Sequence, residues 1–382
     1  MSPRAIAAAA LLTSSLCAAS GTAASDASTQ VTPQPWQTPL ARAGLPRGLP
    51  DIRASSCAVC HRQAAREWSR SAHAHAWRDP QFQGEWAKDG RPDLCLSCHT
   101  PLPEQADQGA TALRDEGVTC AACHVRHGTV LAPRDSPAAP HAIVTDRAAM
   151  GHDACLRCHE AQARVSATLV CAFTTGSDWK RSPAARDGKN CVSCHMRTSD
   201  GHVRHDFPGM GVAKAATEAG DVLDGYRPGL DVRLAFDQES YGPGDEVAAT
   251  VTVTNTHAGH PVPTGDVERF VEVEASLLRT GGDPIATERV RFGERWEWWP
   301  VAKKLADERL APGSSRTMRL RGRVPRDSGA GDVILTVTVT NHRITDSNAA
   351  VSRLGIGYPR RATVARHEAR ARILGMPVRK KG

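Results

Sequence analysis

The sequence predicts a two-part fold: a mainly α-helical and irregular region over residues 51–225, then an immunoglobulin-like β-sandwich over 228–350. Three observations predict it. Cys-x-x-Cys-His occurs five times between residues 57 and 195, and the stretches between copies are too short for separate cores. From about residue 228 the texture changes to runs in which β-branched residues alternate with polar ones. At 382 residues and a formal charge of +7, the chain has room for both parts.

The first residues stand apart. Met1 to Arg4 is short and basic, Ala5 to Leu12 is apolar, and small residues follow through GTAAS at 21–25, the layout of a secretory signal peptide over 1–24. The apolar stretch falls short of the roughly 20 residues that a membrane-spanning helix needs. Leu16 stands before Cys17, where a lipoprotein site would take a small residue. Residues 25–50, rich in Pro, Thr, Gln and Ala, read as a flexible leader. No later stretch is apolar enough to span a bilayer. The expected mature protein is soluble and exported to the periplasm, with the cell surface as the alternative.

Export would make twelve cysteines look like a disulfide framework, but their spacing argues otherwise. Ten of them form five pairs, each followed at once by histidine: Cys57, Cys60 and His61; Cys95, Cys98 and His99; Cys120, Cys123 and His124; Cys155, Cys158 and His159; Cys191, Cys194 and His195. This is the attachment sequence of c-type haem. Two thiols at this spacing reach the two vinyl groups of one porphyrin, and the adjacent imidazole coordinates the iron. A zinc site has no reason to place histidine after every pair. A thioredoxin-type motif occurs once, not five times. Five covalent haem c groups are therefore expected, in a pentahaem cytochrome c domain over 51–225 whose apolar core is largely porphyrin.

Each iron has a sixth position, and eleven further histidines are available: His73, His75, His127, His141, His152, His202, His205, His257, His260, His342 and His367. His127, three residues after the third motif, cannot easily reach its own iron's far side and is placed to cap a neighbouring one; an exposed loop histidine is the alternative. An internal repeat runs through the region. EWSRS at 67–71 precedes DGRPDLCLSCH, and DWKRS at 178–182 precedes DGKNCVSCH. Trp68 and Trp179 are expected against porphyrin or in ordinary core.

Beyond residue 228, the segments 230–238, 246–255, 269–277, 316–324 and 332–341 read as strands, two of them led by Pro-Gly turns. In the fourth, Met318, Leu320 and Val324 alternate with Arg319, Arg321 and Arg323, giving one core face and one solvent face. Short strands separated by turns suggest the immunoglobulin-like sandwich. The tail over 351–382, with RRATVARHEARARILG, reads as a basic helix.

The first region resembles the multihaem cytochromes of the cytochrome c-554 and hydroxylamine oxidoreductase group. The likeness is carried by EWSRSAHAHA at 67–76, CLSCHTP, GVTCAACH, DWKRS with CVSCHM, and HDFPG at 205–209. It departs from the small electron carriers of that group in having five attachment sites rather than four. The sandwich resembles a domain fused to such cytochromes, through TNTHAGHPVPTG at 254–265. Together with position, these resemblances imply distal ligands at His73 (or His75), His127, His152, His205 and His260, with His141 a rival to His152. Met150, Met196 and Met210 are further candidates, and methionine would raise the potential.

Irons closed by imidazole on both faces move electrons and leave no place for substrate. The expected function is electron transfer between redox partner proteins. The alternative is a multihaem oxidoreductase with one open or Cys-ligated haem, acting on a small nitrogen or sulfur oxyanion. Against it, no Cys-x-x-Cys-Lys occurs, and Tyr226, Tyr241 and Tyr358 all follow the last motif. Cys171, the odd cysteine, is either a buried thiol or a haem ligand. The Trp cluster WEWW at 296–299 marks a third possibility, a docking module. The basic charge does not imply nucleic acid, because each haem adds about two propionates.

Overall fold

The computed structural model describes residues 34–212 and 229–375, except 281 and 283. The signal peptide, the first part of the leader and the boundary near 225–228 lie outside the described residues.

In the first region the helices are short and follow the motifs. They are α1 (Ala54–Ala58), α2 (Arg62–Ser69), α3 (Pro80–Lys88), α4 (Leu96–His99), α5 (Thr111–Arg114), α6 (Cys120–His124), α7 (His152–His159), α8 (Thr175–Lys180), α9 (Pro183–Arg186) and α10 (Cys191–His195). The helices α6, α7 and α10 each contain both cysteines of a motif, and residues three apart on a helix share a face. Asn190 starts α10 by accepting the N–H of Ser193 at 3.1 Å.

Between the helices run two-to-four-residue strands: β1 (Val125–Arg126), β2 (Thr129–Ala132) and β3 (Ile143–Thr145) in one small sheet, β4 (Ala161–Arg164) with β5 (Val170–Phe173), and β6 (Thr198–Ser199) with β7 (His202–Val203). Among the described residues, the buried apolar cluster here is Ala43, Leu102, Ala121, Ala122 and Val125. Trp36, Phe82 and Leu113 are buried outside this cluster.

The described part of the leader, residues 34–50, packs against the motif region. Trp36 is buried, Ala43 is wholly buried, and the carbonyls of Arg42 and Ala43 accept the N–H groups of His127 and Gly128. Arg157 also donates to the Thr38 carbonyl at 2.6 Å. A few apolar anchors suffice to lay a Pro-rich strap against the third and fourth motifs.

The second region holds β8 (Leu230–Phe236), β9 (Ser240–Tyr241), β10 (Glu246–Asn255), β11 (Phe270–Arg279), β12 (Pro284–Glu297), β13 (Lys303–Asp307), β14 (Ser315–Arg323), β15 (Gly331–His342), α11 (Asp346–Val351) and β16 (Arg361–Ile373). One sheet has the order β14-β10-β8, the other β13-β12-β11-β15-β16-β9. Alternation builds the core. Val247, Ala249, Val251 and Val253 of β10 point inward with Met318 and Leu320 of β14, meeting Val271, Val273, Phe292, Val333, Leu335 and Val337 from the other sheet. All five expected strands are present.

Two differences stand out. The long β12 was not anticipated, because its charged residues break the alternation. The tail is a strand, not a basic helix: β16 pairs antiparallel with β15 throughout and parallel with β9 at its end. Ala and Arg favour helices in isolation, but Ala369, Ala371 and Ile373 recur every second residue and turn inward over the β15 edge.

The two regions belong to one compact unit. Buried Asp79 takes hydrogen bonds from Tyr358 (2.7 Å) and Arg343 (3.1 Å) across the junction. Arg309 reaches Asp178 at 3.0 Å, and Thr175 meets Thr264 at 2.8 Å.

Candidate haem centres

The five motifs are drawn together through their sulfurs. The Cys57 thiol is held below its usual value chiefly by Cys120, the Cys98 thiol by Cys158, and the Cys191 thiol, at about 7, by Cys155. The partners Cys120, Cys155 and Cys158 are pushed up by the same contacts and by burial. Cys123 also acts on Cys155 and Cys158 through its charge. The helices agree: α1 with the first motif packs on α6 with the third, and α7 with the fourth packs on α4 and α10, with the second and the fifth.

Imidazoles meet across these motifs in pairs. Ring centroids are 6.3 Å apart for His159 and His73, 6.2 Å for His124 and His205, and 6.3 Å for His195 and His260. A metal atom about 2 Å from the Nε2 of each of two imidazoles holds their centroids roughly 6 Å apart. The tautomers suit such a role. Nδ1 faces a backbone carbonyl in His99 (Ala76, 2.6 Å), His124 (Leu131, 3.1 Å), His195 (Pro208, 2.7 Å), His205 (Val203, 2.8 Å) and His260 (Pro261, 3.0 Å). A carbonyl only accepts, so Nδ1 carries the hydrogen and Nε2 presents its lone pair. Five Cys-x-x-Cys-His sequences, with imidazoles so spaced and so protonated, fit iron porphyrins.

Other predicted histidines lie elsewhere. His127 is exposed at the tip of the β1–β2 hairpin, with φ of 50°, followed by Gly128 at 72°. Two central residues with positive φ make the type I′ turn favoured in two-residue hairpins, which accounts for His127 as a turn residue. His152 begins α7, its ring 4.8 Å from that of Trp179 and its Nε2 3.5 Å from Asp153. His75 is half-buried with its Nε2 inside the protein, and the rival His141 has its Nδ1 buried. His61 is exposed, and His99 is stacked on Phe82 at 3.6 Å.

Sequence reasoning missed Glu67, which gathers His202 and His205 into one cluster. Burial opposes ionisation of Glu67, but hydrogen bonds from the His202 ring and the His205 N–H outweigh it and hold the carboxyl below its usual value. The repeat contained the signal, since Glu67 and Asp178 stand in equivalent places. Cys171 lies in β5, and burial, with Cys95, Asp266 and Cys98 adding to it, pushes its thiol up to about 12.

Residues 56–125 match the model of the family described as cytochrome c554 and c-prime. Among solved structures, a penta-haem cytochrome c552 from Thermochromatium tepidum superposes with a TM-score of 0.63, at 18% identity, over 84% of this chain and 98% of that one. This chain therefore has the fold of a multihaem cytochrome. The CARDB domain of the PF1109 protein from Pyrococcus furiosus overlaps only weakly, with a TM-score of 0.20 at 16% identity over 38% of this chain and 87% of its own. No curated protein matches the chain. Among the described residues, no helix is long and apolar enough to cross a membrane.

Proposed function

We propose that the protein is an exported electron carrier with five covalent haem c groups, passing electrons between a donor and an acceptor protein. The ten motif cysteines hold the porphyrins, and His61, His99, His124, His159 and His195 are the proximal ligands. Three irons are closed on the second face by His205 (with His124), His73 (with His159) and His260 (with His195). His75, His127, His141 and His152 are the candidates for the irons at His61 and His99. The two sheets on one core are read as an immunoglobulin-like sandwich whose turn delivers His260.

The observation that carries this reading is the three imidazole pairs at single-metal spacing, set among motifs whose thiols adjoin. Irons closed in this way bind no substrate, and adjoining haems pass electrons along. Ligation by two histidines implies lower potentials than a His/Met pair. Mass spectrometry of the exported protein should show five added porphyrins, and low-temperature EPR of the oxidised form mainly low-spin signals. Fewer porphyrins, or predominantly high-spin iron, would overturn the reading.

A second reading is favoured by the place of Cys171 beside the second motif: an oxidoreductase using a Cys-ligated haem on a small nitrogen or sulfur oxyanion. Cys171→Ser separates the two. Unchanged absorption and EPR spectra leave the electron carrier, whereas loss of a low-spin signal brings the enzyme forward.

A further inference from the structure

The acidic-Trp-x-Arg-Ser repeat lies in and just after α2 and α8, and its two copies make parallel contacts. Trp68 Nε1 donates to the carbonyl of Val118 at 2.8 Å, and Trp179 Nε1 to that of Lys189 at 2.9 Å. Val118 stands two residues before Cys120, and Lys189 two before Cys191. Each tryptophan is thus fastened to the lead-in of an attachment motif, the third and the fifth.

The acids beside them bond to the segments that carry the imidazoles facing those two motifs. Glu67 Oε2 accepts the backbone N–H of His205 at 2.8 Å and lies 2.9 Å from the Nε2 of His202. His205 is the imidazole that faces His124. Asp178 Oδ2 accepts from Arg309 at 3.0 Å, with both side chains nearly buried. The next residue, Leu310, exchanges backbone hydrogen bonds with Val262 at 2.9 and 3.0 Å. Asn255 Nδ2 donates to the carbonyls of both His260 and Leu310. Arg309 is therefore tied to the turn that carries His260, which faces His195.

We propose that each acidic-tryptophan pair is a bracket that fixes both sides of one haem: Glu67 and Trp68 for the iron between His124 and His205, Asp178 and Trp179 for the iron between His195 and His260. All four are positioning residues. The tryptophan sets the proximal helix, and the carboxylate sets the segment bearing the distal imidazole. An indole N–H only donates and a carboxylate only accepts, so each partner fixes a definite backbone or cationic group. Partners behind a ligand commonly orient it in this way. The repeat then has a purpose that neither copy reveals alone: it reproduces one haem-holding unit, the second time with its distal ligand drawn from the β-rich region.

The inference rests on the axial pairs proposed above, and the test separates the two. His205→Ala, read by low-temperature EPR of the oxidised protein, should lose one low-spin signal to high spin. Glu67→Ala should convert the same signal in part, and added imidazole should restore it. Glu67→Gln, which keeps an acceptor oxygen, should stay low-spin with shifted g values. Asp178→Asn should perturb a different signal, the one lost in His260→Ala. If His205→Ala converts a signal while Glu67→Ala keeps every wild-type g value, the bracket is wrong and the axial pair stands. If His205→Ala changes nothing, both fall. Should Glu67→Ala fail to mature, Trp68→Phe tests the bracket from the proximal side. It removes one N–H and keeps the ring, and it should shift the g values of that signal alone; an unshifted spectrum overturns the proposal.

Discussion

The imidazoles of His195 and His260 stand 6.3 Å apart, centroid to centroid, with their planes within 11° of parallel. The first belongs to the last attachment motif and the second to a turn in the β-rich region. One iron between them would make the sheets part of the redox centre instead of an appended module. His260→Ala is expected to convert one low-spin EPR signal, about a fifth of the haem, to high spin, and imidazole should reverse the change. An unaltered spectrum would disprove the pairing.

Gly259, next to that histidine, shows how closely the turn is seated. A Cβ there would stand 3.0 Å from the Cβ of Ala184 and 3.5 Å from Cδ1 of Trp179. Gly259→Val should lift the turn from α8 and α9, destabilising the protein by about 1–3 kcal/mol. It should also weaken the same low-spin signal as His260→Ala without removing any ligand. Thermal unfolding and EPR of the variant check both effects, and wild-type behaviour in each would show the seating to be loose.

The five Cys-x-x-Cys-His motifs were visible in the sequence because their spacing is local. Strands such as β10 and β14 were readable because one face is core and the other solvent. The facing imidazoles were not, since His73 meets His159 and His124 meets His205 only through tertiary folding. The turn at His127 was not legible either: its nearness to a motif drew attention to its imidazole, while its positive φ beside Gly128 marks the tip of a hairpin. The packing of residues 34–50 was hidden for a related reason, as the burial of Trp36 and Ala43 arises only in the folded chain.

Glu85 and Glu268 form a half-buried acidic pair at the junction, bridged by Gln81 at 3.1 and 3.4 Å. Burial, and then the charge of Asp266, raise both carboxyls well above 4.5, Glu85 to about 8. The folded chain thus keeps a proton that the unfolded chain releases near 4.5, so the native state binds more protons between these values. Stability should fall as pH rises through that window, by up to about 1.4 kcal/mol per pH unit for each group. Glu85→Gln should flatten the decline of Tm between pH 5.5 and 8. An equal slope in variant and wild type would show that Glu85 is not the group responsible.

The strand at the C-terminal end of the described chain can be tested by its period. In β16, Ala371 is buried opposite Val333, while Arg372 beside it is exposed. In a strand, neighbouring side chains face opposite ways; on a helix they lie about 100° apart and share much of their surroundings. Ala371→Asp places an unpaired carboxylate against Val333 and the core, and should destabilise the protein by about 2–5 kcal/mol. Arg372→Asp puts the same group in solvent and should cost less than about 1 kcal/mol. Denaturant unfolding of the two variants gives the comparison. Similar, small losses in both would mean that residues 361–373 do not complete the sheet, and that the inward face of β15 is covered in some other way.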